Sequence, residues 1–296
     1  MTTLTVARAT RPNFLILAPL CVLLGVSVAA RQSRALESLD IVLVLVGGLL
    51  AHAVVNLLNE YDDFRSGLDL ITRRTPFSGG SGALPAAPKA ASQVLLTALV
   101  MAAGVVAIGF YFIWLRGWPM LLLGLSGMVL MVAYTRWITR SPWLCLLAPG
   151  LGFGPIMVLG SVIALGGRVD ATALLGSAVA LLLVSELLLI NQFPDREADR
   201  RVGRRHLPIV LGLPRASRWV ATLLLGAYGL IALGQVSQLF PMETGPTWLT
   251  FPAALWVALR LPRVLDDHQA LMRMMGVNVA TLLATLALLA GGLGWA

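Results

Sequence analysis

Charged residues are scarce in this sequence: Asp, Glu, Lys and Arg together make up 12% of its 296 residues, about half of what a soluble globular domain carries. Lysine is all but missing, Lys89 being the single one among 22 basic residues. The only two cysteines, Cys21 and Cys145, sit in separate apolar segments, which argues against a disulfide framework or a thiolate metal centre. No polar stretch is long enough to fold as a soluble domain between the apolar blocks. No cleavable signal peptide is expected either, because Arg8 and Arg11 precede an apolar run too long for one.

What is present is apolar. Hydrophobic residues reach 58% and the mean hydropathy is +0.84, which predicts an integral membrane protein. The runs are long enough for helices and too long for the alternating strands of a barrel. The expected fold class is all-α and polytopic, with nine transmembrane helices around a central cavity. The spans are placed near 14–30, 40–60, 90–115, 119–137, 144–165, 171–194, 217–239, 246–262 and 274–294, in one domain over 1–296.

Arginine placement predicts the orientation, since basic residues accumulate in cytoplasmic loops. With the N-terminus cytoplasmic and the C-terminus outside, only Arg31, Arg34, Arg116 and Arg168 fall on the outer side. That distribution accounts for a net charge of +8 without invoking a nucleic-acid partner.

Half of the 14 acidic residues lie in two short stretches. "VVNLLNEYDDFRSGLD", from Val54, holds Glu60, Asp62, Asp63 and Asp69. "INQFPDREADRRVGRRHLPIVLG", from Ile190, holds Asp195, Glu197 and Asp199. The stretches follow the second and sixth expected spans, and each contains Asn-x-x-x-Asp, as Asn59/Asp63 and Asn191/Asp195, a spacing that suggests an internal repeat. His52, Asn56, Asn59 and Asp63 fall on one stripe at i, i+4, i+7 and i+11. A polar stripe on an apolar span turns toward the bundle interior or a watery cavity. Asp62 points away from it. Gly67 is expected to end the helix and Asp69 to join from beyond it. Pro194 is expected to break the sixth span, with Asp195 and Asp199 starting a short helix.

Singly, each carboxylate also reads as a solvated helix end. Together the stretches present two acidic clusters on one side of the membrane, each followed by paired arginines, Arg73/Arg74 and Arg204/Arg205. Mg²⁺ is usually held by one or two carboxylates plus substrate phosphates, and arginine suits the remaining oxygens. At the mouth of an apolar cavity, a lipid diphosphate matches this set. The segment "RTPFSGGSGALPAAPKAA", from Arg74, reads equally as a flexible cover and as a plain linker.

These residues resemble the UbiA superfamily of intramembrane aromatic prenyltransferases, nearest the menaquinone branch of 1,4-dihydroxy-2-naphthoate polyprenyltransferases. That branch carries Asn-Asp-Tyr-x-Asp-x-x-x-Gly-x-Asp, and this chain has "NEYDDFRSGLD" from Asn59. Its second motif, Asn-x-x-x-Asp-x-x-x-Asp-x-x-x-Gly-[Lys/Arg]-Arg, is matched by Asn191, Asp195, Asp199, Gly203, Arg204 and Arg205. "YT" at Tyr134 and "GFGPIMVLGS" from Gly152 are similar to the branch as well. Glu60 stands where the family carries Asp, moved outward, and a Glu expected near position 146 is absent.

The resemblance implies Mg²⁺ as cofactor, held by Asn59, Asp63, Asp69, Asn191, Asp195 and Asp199, with Asp63 and Asp195 central to catalysis. It implies substrate contacts from Asn56, Asn59, Arg73, Arg74, Tyr134, Asn191, Arg204 and Arg205. The substrates would be a polyprenyl diphosphate and an aromatic acceptor, the surroundings the lipid bilayer of the cell (inner) membrane, and the site would open to the cytoplasm. No protein partner is indicated. Acceptors other than the naphthoate stay open: 4-hydroxybenzoate, homogentisate, a chlorophyllide or glycerol phosphate. A cation-coupled transporter is the competing class, although transporters place such residues nearer the midplane. The CDP-alcohol phosphotransferase signature is missing. Of the remaining polar residues, Tyr134 reads as pocket lining or as an interfacial anchor, and His52 as an acceptor contact or a structural histidine. His206 reads as a surface residue, and Glu186 as paired with a neighbouring helix or protonated.

Overall fold

The computed structural model describes residues 2–32 and 35–295; all regular elements among them are helical. Arg34, expected on the outer side, lies outside the described residues. An N-terminal arm, α1 (Thr2–Ala9) and α2 (Pro12–Leu15), leads into α3 (Leu17–Gln32). Then follow α4 (Ser38–Arg65), the short α5 (Leu68–Ile71) and α6 (Ala83–Ala86), α7 (Ala91–Arg116) and α8 (Trp118–Arg136). The fifth span is composite, with α9 (Pro142–Leu151), a π-helical stretch (Gly152–Leu159) and α10 (Gly160–Ala164). Pro149 and Pro155 lie inside it; their missing N–H groups favour such a widened turn. Next come α11 (Ala171–Asn191), the short α12 (Arg196–Arg201) and α13 (Leu207–Leu211), and α14 (Leu213–Val236). A 3₁₀ helix (Met242–Thr250), α15 (Phe251–Arg260) and α16 (His268–Trp295) complete the chain.

Eight of these segments are long and apolar enough to cross a bilayer, and they coincide with eight of the nine expected spans. The exception is the 246–262 region, where nine 3₁₀ residues run into a ten-residue helix. Pro246 and Pro252 withhold backbone donors there. The Thr244 and Thr250 hydroxyls donate to the carbonyls of Pro241 and Thr247 at 2.6 and 2.7 Å. Both features favour tight turns over a continuous α-helix.

α11 is central, packed against α3, α9, the π segment, α14 and α16, with Leu183, Val184 and Ile190 fully enclosed. Its start is fixed by Asp170, whose carboxylate accepts from Ala173 N at 2.9 Å. Deep in it, Glu186 is completely buried and accepts from Asn278 Nδ2 of α16 at 3.0 Å. This is the neighbouring-helix partner expected from the sequence.

α7 and α8 lie at the periphery and expose Leu99, Val100, Phe110, Leu122, Leu125 and Val129, an apolar face suited to lipid. Trp114 and Trp118 stand exposed at the turn between them, where a membrane interface places such side chains. The protein is a multi-pass membrane protein.

Candidate active site

A cavity of about 780 Å³ opens among α4, α7, α8, the composite fifth span and α11. Along α4 it runs from Asp63 to Leu43, twenty residues or about 30 Å at the helical rise. Its depth is apolar, with Val44, Phe112, Met120 and Ile156 on the wall. Its mouth is polar, with Asn59, Asp63, Asp69, Asn191, Asp195 and Asp199 all on the lining. Every position read from the sequence as a metal ligand therefore faces one space. Asn56, Tyr134 and Arg204 line it as well, and Asp62 does not.

Local breaks in the helices create this meeting. α4 ends at Arg65, and Gly67, in the left-handed region at φ 77°, turns the chain so that α5 carries Asp69 back inward. α11 ends at Asn191, and the turn through Pro194 delivers Asp195 just before α12, which bears the buried Asp199. The two stretches then close on each other through Arg204. Its guanidinium pairs with Asp63 of the first stretch and, through Nη1 at 3.0 Å, with Asp199 of the second. Asn59 Nδ2 donates to the other Asp63 oxygen at 2.6 Å.

The glycine-rich segment folds over this mouth as a cover. Ser78 Oγ and Gly79 N donate to the two oxygens of Asp195 at 3.1 and 3.0 Å. Gly80 passes so close to Asp69 that a Cβ there would meet Oδ1 at 2.7 Å. Ser81 donates to Glu60 through its backbone N at 3.0 Å and through its hydroxyl. Between these contacts, Thr75 Oγ1 accepts from Phe77 N and Ser78 N and shapes the turn.

Electrostatics mark the same residues. Burial, with Glu60 and Asp63 nearby, pushes the Asp69 carboxyl up to about 7. Burial and the neighbouring Asp199 push Asp195 up to about 7, against the donors from Ser78 and Gly79. A proton thus competes for the carboxylates a cation would take. For Arg204, burial alone would lower its pKa, but Asp63 and Asp199 outweigh it and hold the guanidinium firmly charged.

Several placements differ from the sequence reading. His206 is buried, not on the surface, and its Nε2 lies 2.8 Å from Asp199 Oδ2; the tight turn after α12 folds it beneath the carboxylate. Glu60 is fully enclosed rather than directed outward, held by Ser81 and by Arg11 Nη2 at 3.1 Å. Arg73, Arg74 and Arg205 are exposed and lie outside the cavity lining, although the charge of Arg74 reaches Asp69. Of the two arginine pairs, only Arg204 reaches the mouth. Arg8, Arg11, Ser78 and Gly79 line the cavity too. Motif spacing gives no sign of them, because they arrive from other parts of the chain.

Among the described residues no three His, Cys, Asp or Glu side chains converge as a closed cage for a metal ion. The mouth nevertheless fits a cation shared with a ligand. Asp69 Oδ2 and Asn191 Oδ1 are buried oxygens without a partner, and hard divalent cations take oxygen donors completed by phosphate and water.

The family model for the UbiA prenyltransferase family matches residues 18–282. The 1,4-dihydroxy-2-naphthoate octaprenyltransferase of Bacillus subtilis is 29% identical over 237 residues, covering 78% of this chain and 74% of that protein. The protein of the same name from Escherichia coli is 27% identical over 252 residues, covering 82% and 79%. The solved structure of a UbiA homologue from Archaeoglobus fulgidus bound to DMAPP and Mg²⁺ superposes with a TM-score of 0.63. At 14% identity it spans 96% of this chain and 99% of that one, a likeness of fold.

Proposed function

The chain belongs to the UbiA prenyltransferase family and is an enzyme that transfers prenyl groups; on that premise we propose that it joins a polyprenyl chain to 1,4-dihydroxy-2-naphthoate. The observation that carries this reading is the convergence of both acidic stretches, bridged by Arg204, at the polar mouth of a long apolar cavity. The names of the two curated relatives support the choice of acceptor, and the DMAPP- and Mg²⁺-bound homologue supports the donor and the ion.

In this reading the diphosphate lies at the mouth and the prenyl tail runs down the apolar wall between α4 and α8. Asn59, Asp63, Asp69, Asn191, Asp195 and Asp199 would hold Mg²⁺, which neutralises the diphosphate and makes it a better leaving group. Arg204 donates to the diphosphate oxygens as the allylic C–O bond breaks and charge gathers there. The Ser78–Ser81 cover keeps water from the allylic cation. The electron-rich ring then forms the new C–C bond and releases a proton or carbon dioxide.

Membranes containing the protein are expected to convert a polyprenyl diphosphate and the naphthoate to prenylated product with Mg²⁺ and to lose that activity in EDTA. Assayed against a panel of acceptors, turnover of another phenol with none of the naphthoate would refute the acceptor. EDTA-resistant turnover would refute the ion.

The same proposal treats the whole chain as one membrane domain with nine crossings, an N-terminus inside and a site facing the cytoplasm. Cys21 and Cys145 are buried, so engineered thiols can be read against a low background. In oriented cells, Met242→Cys should react with an impermeant maleimide and Arg201→Cys only after permeabilisation. The reverse pattern would invert the topology.

A further inference from the structure

We propose that Arg11 binds the carboxylate of the aromatic acceptor and so orients the ring at the cavity mouth; the inference rests on the acceptor reading above. Arg11 lies outside both acidic stretches, in the link between α1 and α2. Its backbone is left-handed at φ 53°, a conformation that strains a non-glycine residue and that persists where surrounding structure enforces it. The enforcing contacts are visible. Pro12 follows and disfavours an ordinary helical turn before it, and the carbonyl of the preceding Thr10 accepts from Asn56 Nδ2 of α4 at 2.8 Å. The arm is therefore bolted to the helix that carries Asp63, at a residue on the cavity lining.

The guanidinium is only partly satisfied. Nη2 donates to the enclosed Glu60, but Nε is buried and has no partner. An arginine has five donors in a rigid fork and accepts none, and a buried, unmatched N–H calls for an acceptor. Glu60, itself pinned by Ser81, fixes one edge of the fork and leaves the Nε side for a ligand. Arg11 lies within electrostatic reach of Asp63 and Asp69 at the mouth and of His52 farther down the wall. It thus stands between the level of the diphosphate and the apolar depth, where an acceptor must lie to reach the allylic carbon. The diphosphate is already served from the opposite approach by Arg204, which enters from the turn between α12 and α13. A planar, bidentate carboxylate is the anion that suits what remains of the fork.

The test compares 1,4-dihydroxy-2-naphthoate with 1,4-dihydroxynaphthalene, which lacks the carboxylate, in wild type, Arg11→Gln and Arg11→Lys. The expected result is a drop of about tenfold or more in kcat/KM for the carboxylated acceptor in Arg11→Gln, the size of a lost hydrogen bond to a charged group. The descarboxy acceptor and the KM for prenyl diphosphate should not move, and Arg11→Lys should fall between. Because the two acceptors are compared within one preparation, their ratio is independent of how much variant is folded. An unchanged ratio with a raised KM for prenyl diphosphate would assign Arg11 to the diphosphate and overturn the proposal. Equal loss for both acceptors would make the residue structural and overturn it too. Should wild type prefer another aromatic acid such as 4-hydroxybenzoate, the naphthoate reading fails, and the same ratio against phenol decides Arg11. Turnover of carboxylate-free acceptors alone would sink both.

Discussion

Asp63→Asn and Asp195→Asn should each lower Mg²⁺-dependent prenyl transfer by about 10³-fold, or ~4 kcal/mol of transition-state stabilisation. The amide keeps the shape of the side chain and one acceptor oxygen but removes the negative charge, so the change isolates charge at the mouth. Asp63 is paired with Arg204 and Asn59, while Asp195 is held by Ser78 and Gly79; the two variants therefore disturb different neighbours. If both act through a shared cation, each should raise the Mg²⁺ concentration for half-maximal rate as well as lower the limiting rate. The double variant should then be little worse than either single one. Near-wild-type turnover in either variant would remove that residue from the reacting site. Losses that multiply in the double variant would mean that the carboxylates work independently. Asp62→Asn is the control: its neighbour faces the cavity and it does not, so turnover should stay close to wild type.

Much of this site could be read from the sequence because its signals are local. The stripe from His52 to Asp63 follows from helical periodicity, and Gly67 and Pro194 are chain breakers whose consequences need no tertiary information. The acid inside the sixth span had to find a partner, and Glu186 finds Asn278. Features set by distant segments stayed hidden. The two arginine pairs look equivalent as text, yet only Arg204 reaches the mouth, because the Arg73 and Arg74 side chains stay exposed while Arg204 sits in the tight turn between α12 and α13 and pairs with Asp63 of α4. His206 and Glu60 look like surface residues until the turn after α12 and the N-terminal arm fold over them. The glycine-rich segment reads as a linker or a cover with equal ease, and only its hydrogen bonds to Asp195 and Glu60 distinguish the two. The 246–262 region reads in the sequence as one more apolar run, yet it is not among the segments long and apolar enough to cross a bilayer, and its proline and threonine positions tighten the backbone as well.

Arg204→Gln should destabilise the metal-free protein by about 3–5 kcal/mol, the range for removing one partner of a buried ion pair. Arg204 is the one cation paired with both Asp63 and Asp199 among the described contacts. Without it, two buried carboxylates on facing stretches lose their common counter-charge, and His206 at 2.8 Å remains beside only one of them. In EDTA the variant should melt well below wild type. Adding Mg²⁺ with inorganic diphosphate should narrow the gap, because the loaded site supplies positive charge where the guanidinium stood. Activity should still be lost, since the donor to the leaving group is missing. Arg204→Lys retains the charge but cannot span both carboxylates with a fork, so it should recover most of the stability and little of the rate. A melting gap that stays constant from EDTA to Mg²⁺ and diphosphate would show that Arg204 and the cation do not share the carboxylates. In that case the guanidinium would be a fixed strut between α4 and α12, and the two acidic stretches would meet for structural reasons alone.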